Sequence, residues 1–138
     1  MTNSHFRSLL RVLLLLVGFG SVSACRTARQ ATTSEPFDAF YERFMTDSTF
    51  QMKRTQFPLP GQKFTAEVED SVYRWSKEDW RVLSEPQIDT TYFQRNLTVA
   101  DTLATDEIIG KDSGFYFKMV YQPVKRKWHL VYMVDRDL

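Results

Sequence analysis

Few side chains in this sequence suggest chemistry. Cys25 is the single cysteine, and His129 is the one histidine outside the amino-terminal region. Asp38 and Tyr41 stand three residues apart in a segment predicted to be helical, where a carboxylate and a phenol could serve as an acid and a base. A solvated helix face is the simpler account of Asp38.

The segment before Cys25 has the layout of a secretory signal. A basic start with His5, Arg7 and Arg11 precedes the apolar run VLLLLVGFG, and the small residues SVSA follow. The apolar run is nine residues long, whereas a helix that crosses a bilayer needs roughly 20. The sequence therefore predicts a signal peptide over residues 1–24 rather than a transmembrane anchor.

The residues VSAC, from Val22 to Cys25, resemble the lipobox of bacterial lipoproteins. The resemblance implies that the Cys25 thiol takes a diacylglyceryl group and that Cys25 becomes the first residue after cleavage. Two or more acyl chains, such as palmitate, would anchor the chain stably in a membrane. Cys25 is then no longer a thiol that could act as a nucleophile.

The residues after Cys25 indicate location and spacing. Arg26 follows, not the aspartate that keeps some lipoproteins in the inner membrane, so we expect the outer membrane, facing the periplasm. The polar stretch RTARQATTSE has no apolar periodicity, and ten flexible residues reach about 17 Å. We therefore expect the lipidated cysteine and a flexible tether over residues 25–34 and one domain over residues 35–138.

Charge excludes one class of partner. The chain contains 18 basic and 17 acidic residues, and all the acidic ones follow Cys25. Two of the basic residues precede it, so the rest of the chain has 18 − 2 = 16 basic residues and a net charge of −1. A near-neutral domain lacks the basic face that nucleic acid requires, so no nucleic-acid partner is expected.

Two short helices are predicted at the start of the domain. Aromatic residues recur at helical spacing in the run Phe37, Phe40, Tyr41 and Phe44. Asp47 or Ser48 can cap a second helix, whose Phe50 would pack back on the first. In that second helix, Gln51 has capping-box spacing from Ser48.

Strands are predicted for the rest of the chain. From Lys63 onward, polar and apolar residues alternate, which predicts a strand. In a second predicted strand, Tyr73 and Trp75 share one side. The stretch 84–105 is expected to hold one or two irregular strands. A hairpin with its turn at 125–126 would pair residues whose numbers sum to 251. This register places the following residues on one face: Phe115, Phe117, Met119, Tyr121, Trp128, Leu130, Tyr132 and Val134. The other, mixed face would hold His129, Met133 and Asp135.

The order of elements predicts an α+β fold, in which two short N-terminal helices pack on a curved antiparallel sheet. The run FDAFYERFMTDSTFQMKRTQFPL, the spaced Trp75 and Trp80, and the closing KWHLVYMVD resemble a domain-of-unknown-function family of bacterial envelope lipoproteins. The resemblance implies a cystatin-like, nuclear transport factor two-like cone. It brings no catalytic residues with it.

The candidate site is a pocket rather than a catalytic constellation. His129 is expected at the surface of the mixed face, and the acidic run DTLATDEIIGKD lacks the spacing of a calcium loop. No cofactor and no metal are predicted. The candidate pocket residues are aromatic: Tyr41, Trp75, Trp80, Phe117, Tyr121, Trp128 and Tyr132. The alternative is that these rings only fill the core.

These observations predict a membrane-tethered, non-enzymatic binding or interaction lipoprotein of the bacterial envelope. Its partners would be the membrane, through Cys25, and an apolar small molecule or an envelope protein. Two alternatives stay open. One is a small hydratase-like or isomerase-like enzyme that uses the cone pocket, and the other is a structural homodimer formed through the mixed sheet face.

Overall fold

The computed structural model describes residues 35–66 and 69–137 of the chain. The signal peptide, Cys25 and the tether, all predicted within residues 1–34, lie outside the described residues. Within the described part, no helix is long and apolar enough to span a bilayer.

Two helices precede a six-stranded sheet, as expected for the predicted α+β cone. The helices are α1 (Phe37–Thr46) and α2 (Ser48–Arg54), and the strands are β1 (Leu59–Thr65), β2 (Glu69–Trp75), β3 (Phe93–Val99), β4 (Ala104–Gly110), β5 (Tyr116–Val124) and β6 (Lys127–Asp137). The order across the sheet is β2-β1-β6-β5-β4-β3. We call the face that carries the helices the inner face, and the opposite one the outer face.

One strand pair departs from the antiparallel pattern that the sequence predicted. β1 and β6 run parallel, so the sheet is mixed. Thr55 and Gln56, between α2 and β1, already pair with Leu130 of β6. Because the chain leaves α2 alongside β6, β1 continues in the direction of that strand.

Helix α1 packs on the sheet through the predicted aromatic stripe. Phe40 and Phe44 are 1% and 0% exposed, and the centroid of each ring lies 5.6 Å from that of Tyr121 on β5. The Asp47 Oδ1 atom accepts a hydrogen bond from the Phe50 N–H at 2.9 Å and so caps α2. The Phe50 ring lies 6.1 Å from that of Phe40, which confirms the predicted return of α2 onto α1.

The β5–β6 hairpin has the predicted turn and, near the turn, the predicted register. Lys125 and Arg126 have φ values of 50° and 66°, as a two-residue turn with the right-handed twist of a hairpin requires. Pairing follows the expected register from the turn to Tyr121 and Leu130.

Beyond Leu130 the predicted register is wrong by one residue. A bulge leaves Val131 unpaired, so Val120 pairs with Tyr132, and Met133 pairs with Met119. An extra residue in one strand turns the following side chains to the opposite face. Met133 therefore lies in the core, and Tyr132, which was expected there, lies on the outer face.

A long segment without regular structure crosses the sheet. Residues 76–92 join β2 to β3, which are the two opposite edges. They cross on the inner face, where Trp80 donates a hydrogen bond to Gln51 of α2 and Arg95 of β3 donates one to Glu85. We call this segment the strap. A connection of this length in a compact domain is often functional.

Candidate functional site

A cavity of about 520 Å³ lies between the strap and the inner face of the sheet. Strands β1, β2, β5 and β6 form its floor and sides, and the strap forms its remaining wall. Four aromatic residues line it: Tyr73, Trp75, Trp80 and Phe117. We call it the strap cavity. Its size and aromatic lining are typical of small-molecule sites.

The floor of the strap cavity depends on a glycine. A Cβ atom on Gly61 would lie 1.8 Å from the Met133 carbonyl oxygen and 2.6 Å from Trp75 Cζ3. Only glycine therefore lets the Trp75 ring approach the β1 backbone this closely. The Tyr73 ring meets Trp75 edge-on, with centroids 4.8 Å apart, so the two rings hold each other in place.

The wall of the strap cavity is fixed by a buried amide. Gln51 is 0% exposed, and its Oε1 accepts hydrogen bonds from Trp80 Nε1 at 3.1 Å and from the Leu83 N–H at 2.8 Å. Its Nε2 donates to the carbonyl oxygens of Phe44 and Leu83. The amide thus joins α1, α2 and the strap. Phe57 supports the Trp80 ring from the side, with centroids 5.3 Å apart.

Two neighbouring charges face the strap cavity. Lys63 of β1 pairs in register with Asp135 of β6, and both line the cavity. Although the structure describes both residues, no ion pair within 4 Å joins them. The Lys63 ammonium lies 5.1 Å from the centroid of the Tyr73 ring, a cation–π contact.

The Asp135 carboxyl is partly buried. Burial raises its pKa above the usual value, and Asp137 acts in the same direction, while Lys63 opposes the shift. Asp79 and Arg81 of the strap add one charge of each sign to the lining. The four charged groups of the cavity therefore sum to zero.

A second depression of about 480 Å³ lies between α1, the strap and β3. We call it the helix groove. Its apolar lining is Phe37, Tyr41, Met45 and Leu97, and Asp38, Glu42 and Glu85 add acidic groups. Asp38 and Tyr41 thus line the same groove, but Asp38 is exposed on the surface of α1.

A buried ion pair forms one side of the helix groove. Asp106 of β4 is 0% exposed and accepts 2.8 Å hydrogen bonds from both Nε and Nη2 of Arg95. The Tyr41 hydroxyl donates to Asp106 Oδ2 at 2.6 Å and accepts from Arg95 Nη2 at 2.6 Å. Burial, followed by the contact with Asp106, raises the pKa of Tyr41 well above its usual value.

This arrangement holds α1 against β3 and β4 rather than supplying an acid or a base. The Asp106 carboxylate is neutralised by a bidentate guanidinium, and the phenol that bonds to it is shifted away from ionisation. Arg95 also bonds to Glu85 and so fastens the middle of the strap.

The structure divides the predicted pocket residues into four groups. Trp75, Trp80 and Phe117 together line the strap cavity. Tyr41 lies at the helix groove instead. Tyr121 and Trp128 are 0% and 1% exposed and form the core beneath α1, as the core-filling alternative supposed. Tyr132 lies on the outer face.

The charged residues of the site escaped sequence reasoning for separate reasons. Asp135 was expected on the mixed face, but the bulge at Val131 brings it to the inner face. Arg95 lies in the stretch 84–105, whose pattern was least regular, and Asp106 comes directly after it. The one usable signal was the alternation Ala104, Asp106, Ile108, in which a carboxylate occupies a core position.

His129 lies away from the strap cavity. It occupies the position between Trp128 and Leu130, whose side chains point into the core, and its Nδ1 lies 2.8 Å from the Lys127 carbonyl oxygen. Partial burial lowers its pKa. Among the described residues, no cluster of three or more His, Cys, Asp or Glu side chains could hold a metal ion.

The fold is that of the cystatin-like, nuclear transport factor two-like (NTF2-like) class. A cystatin-like protein from Bacteroides caccae superposes with a TM-score of 0.59 at 18% identity, over 77% of this chain and 79% of that one. An NTF2-like protein from Bacteroides fragilis superposes with a TM-score of 0.53 at 20% identity, over 75% of this chain. The match spans 48% of that protein's length. At these identities the likeness concerns the fold alone.

No protein-family model matches the chain. No curated protein matches it in sequence either.

Proposed function

We propose that the chain is a membrane-tethered, non-enzymatic binding module of the bacterial envelope, which takes a small molecule into the strap cavity. One observation carries the proposal. The cavity combines aromatic walls with Lys63 and Asp135, which form no ion pair with each other, and its wall is held in place by Gln51. An apolar site with a few convergent polar groups is the usual form of a ligand pocket.

The sequence supports the tether. VSAC resembles a lipobox, and the described domain begins at Glu35, ten residues after Cys25. The likeness of the domain to a family of envelope lipoproteins points the same way. We extend the proposal to the outer membrane, with the domain in the periplasm, because Arg26 follows the cysteine.

The experiment is native mass spectrometry of the full-length chain, purified in a non-ionic detergent and incubated with the low-molecular-weight fraction of a bacterial envelope extract. We expect an adduct that Trp80→Ala and Phe117→Ala lose, because these changes remove aromatic walls of the cavity. His129→Ala, which alters no cavity residue, retains it. An adduct that survives both aromatic substitutions contradicts the proposal.

The enzyme alternative has Asp135 as its best-placed base. Asp106 is held by Arg95 and Tyr41, and His129 lies outside the cavity, whereas Asp135 is a partly buried carboxyl with a raised pKa that lines it. Solvent deuterium that enters a bound ketone in the wild type, but not in Asp135→Asn, would establish this alternative. The homodimer formed through the outer face also stays a prediction, which light scattering tests.

A further inference from the structure

Lys63 and Asp135 are adjacent charges that form no ion pair with each other. Neighbouring strands lie about 4.8 Å apart, and these two residues are directly opposite each other on β1 and β6. Each could reach the other, yet the Lys63 ammonium lies on the Tyr73 ring. The Asp135 carboxylate has no hydrogen-bond or ion-pair partner in the described part of the chain.

Such a pair is unfavourable when a ligand excludes water. A partly buried charge that loses its water without gaining an opposite charge raises the free energy of the complex. A compound that offers an ammonium to Asp135 and a carboxylate to Lys63 satisfies both groups at once. Charge-assisted hydrogen bonds of this kind are stronger than neutral ones.

The balance of charge disfavours compounds with a single charge. A cation without a carboxylate would face repulsion from Lys63 and Arg81, and an anion without an ammonium would face Asp79 and Asp135. A neutral compound would bring no opposite charge to Lys63 or to Asp135. A zwitterion matches a lining whose charges sum to zero.

We infer that the strap cavity binds a small zwitterion, namely a free α-amino acid with an apolar side chain. Its ammonium contacts Asp135, its carboxylate contacts Lys63, and its side chain packs among Trp75, Trp80 and Phe117. One carbon separates the two charges of an α-amino acid, which suits two groups held on neighbouring strands. This inference rests on the proposed binding function and names its ligand class.

The test is titration calorimetry of the full-length chain in a non-ionic detergent with four probes that share one benzyl group. L-phenylalanine carries both charges, 2-phenylethylamine the ammonium alone, 3-phenylpropionate the carboxylate alone, and N-acetylphenylalanine amide neither. We expect L-phenylalanine to bind at least about tenfold more tightly than each of the others.

Substitutions assign the two charges. Asp135→Asn lowers the affinity for L-phenylalanine about tenfold and does not weaken the binding of 3-phenylpropionate. Lys63→Met also lowers the affinity for L-phenylalanine about tenfold, and it does not weaken the binding of 2-phenylethylamine. Asp112 and Lys53 are more exposed than Asp135 and Lys63 and lie away from the cavity. The control variants Asp112→Asn and Lys53→Met should therefore bind like the wild type. Circular dichroism establishes that each variant is folded.

The outcomes separate this inference from the proposed function. If the neutral or a singly charged probe binds as tightly as L-phenylalanine and Trp80→Ala abolishes that binding, the zwitterion is wrong and the cavity is still a binding site. If no probe binds at millimolar concentration, the inference is overturned, and the envelope-extract experiment decides the proposed function on its own. Asp135→Asn that binds L-phenylalanine like the wild type also overturns it.

Discussion

Two carboxylates on the inner face differ in how their charge is compensated. Asp106 is fully buried and bonded by Arg95 and Tyr41, so its charge belongs to a satisfied network. Asp135 is only partly buried and has no such partner among the described residues, and burial raises its pKa. A group that destabilises the fold in its charged form is a common mark of a functional site, where stability is lost in exchange for activity.

Asp135→Asn should therefore stabilise the protein at neutral pH. The folded protein favours the protonated carboxyl, so the wild type loses stability as pH rises from the ordinary carboxyl pKa through the raised one, and the neutral amide does not. We expect a gain below about 1 kcal/mol at pH 7, because the side chain keeps part of its water. The gain disappears near pH 3, where Asp135 is protonated in both states. Urea unfolding at the two pH values measures it.

Asp106→Asn is the matched control for that prediction. Here the substitution leaves the Arg95 guanidinium without its carboxylate, so we expect a loss of about 3 kcal/mol at pH 7. A gain of stability in Asp135→Asn and a loss in Asp106→Asn would distinguish a carboxylate without an ion-pair partner from one that has such a partner. A loss of stability in Asp135→Asn at pH 7 would show that Asp135 has a stabilising partner in the fold and would remove the basis of its assignment to the ligand.

The strap is the element that creates the site. It must reach from one edge of the sheet to the other, and it is fastened at Gln51 and at Arg95. Trp80 and Leu83 line the strap cavity, and Glu85 lines the helix groove. The contacts at Gln51 and Arg95 thus help to shape both depressions.

Gln51→Leu should release the strap. The substitution leaves the Trp80 and Leu83 N–H groups and two carbonyl oxygens without partners, so we expect a loss of about 2–4 kcal/mol in the free energy of unfolding. Tryptophan fluorescence shifts to the red because Trp80 is exposed to water, and limited proteolysis cuts within residues 76–92. Gln87→Leu changes an exposed amide on the same strap and should leave all three readouts unchanged. If Gln51→Leu resists the protease as well as the wild type does, contacts other than those of Gln51 hold the strap.

Local patterns predicted the elements that depend on local spacing. The aromatic period of α1, the Asp47 cap and the turn at 125–126 involve residues close in sequence, and each was predicted correctly. The sequence also placed Trp75, Trp80 and Phe117 among seven candidate pocket residues, and these three line the strap cavity.

What the sequence could not show depends on long-range contacts. Gln51 has capping-box spacing but is a buried clamp, because its partners lie 29 and 32 residues away. A bulge leaves no mark in a run of alternating apolar residues, so Asp135 was placed on the wrong face. The parallel pairing of β1 with β6 follows from where α2 ends, and no local pattern shows that.

At the scale of the whole molecule, the proposed binding and the proposed anchoring belong to separate parts of the chain. Every residue of the strap cavity lies between Lys63 and Asp135, and the core is made by residues from Phe37 onward. Cys25 stands ten residues before Glu35, and a flexible tether of that length reaches about 17 Å. The proposed lipid anchor would thus keep the cavity near the membrane surface without forming any part of it.

Cys25→Ser should separate these two properties. A serine cannot form the thioether to a diacylglyceryl group, so the chain should keep residues 1–24, and cells fed an alkyne-bearing fatty acid should leave it unlabelled. Ser23→Ala keeps the cysteine and a small neighbour, so it should be labelled and shortened like the wild type. Intact mass measures whether residues 1–24 have been removed, and in-gel fluorescence measures the fatty-acid label.

Because the cavity lies elsewhere, Cys25→Ser in detergent should still yield the adduct that Trp80→Ala loses. A labelled and shortened Cys25→Ser chain would rule out Cys25 as the attachment point, since the sequence offers no other thiol.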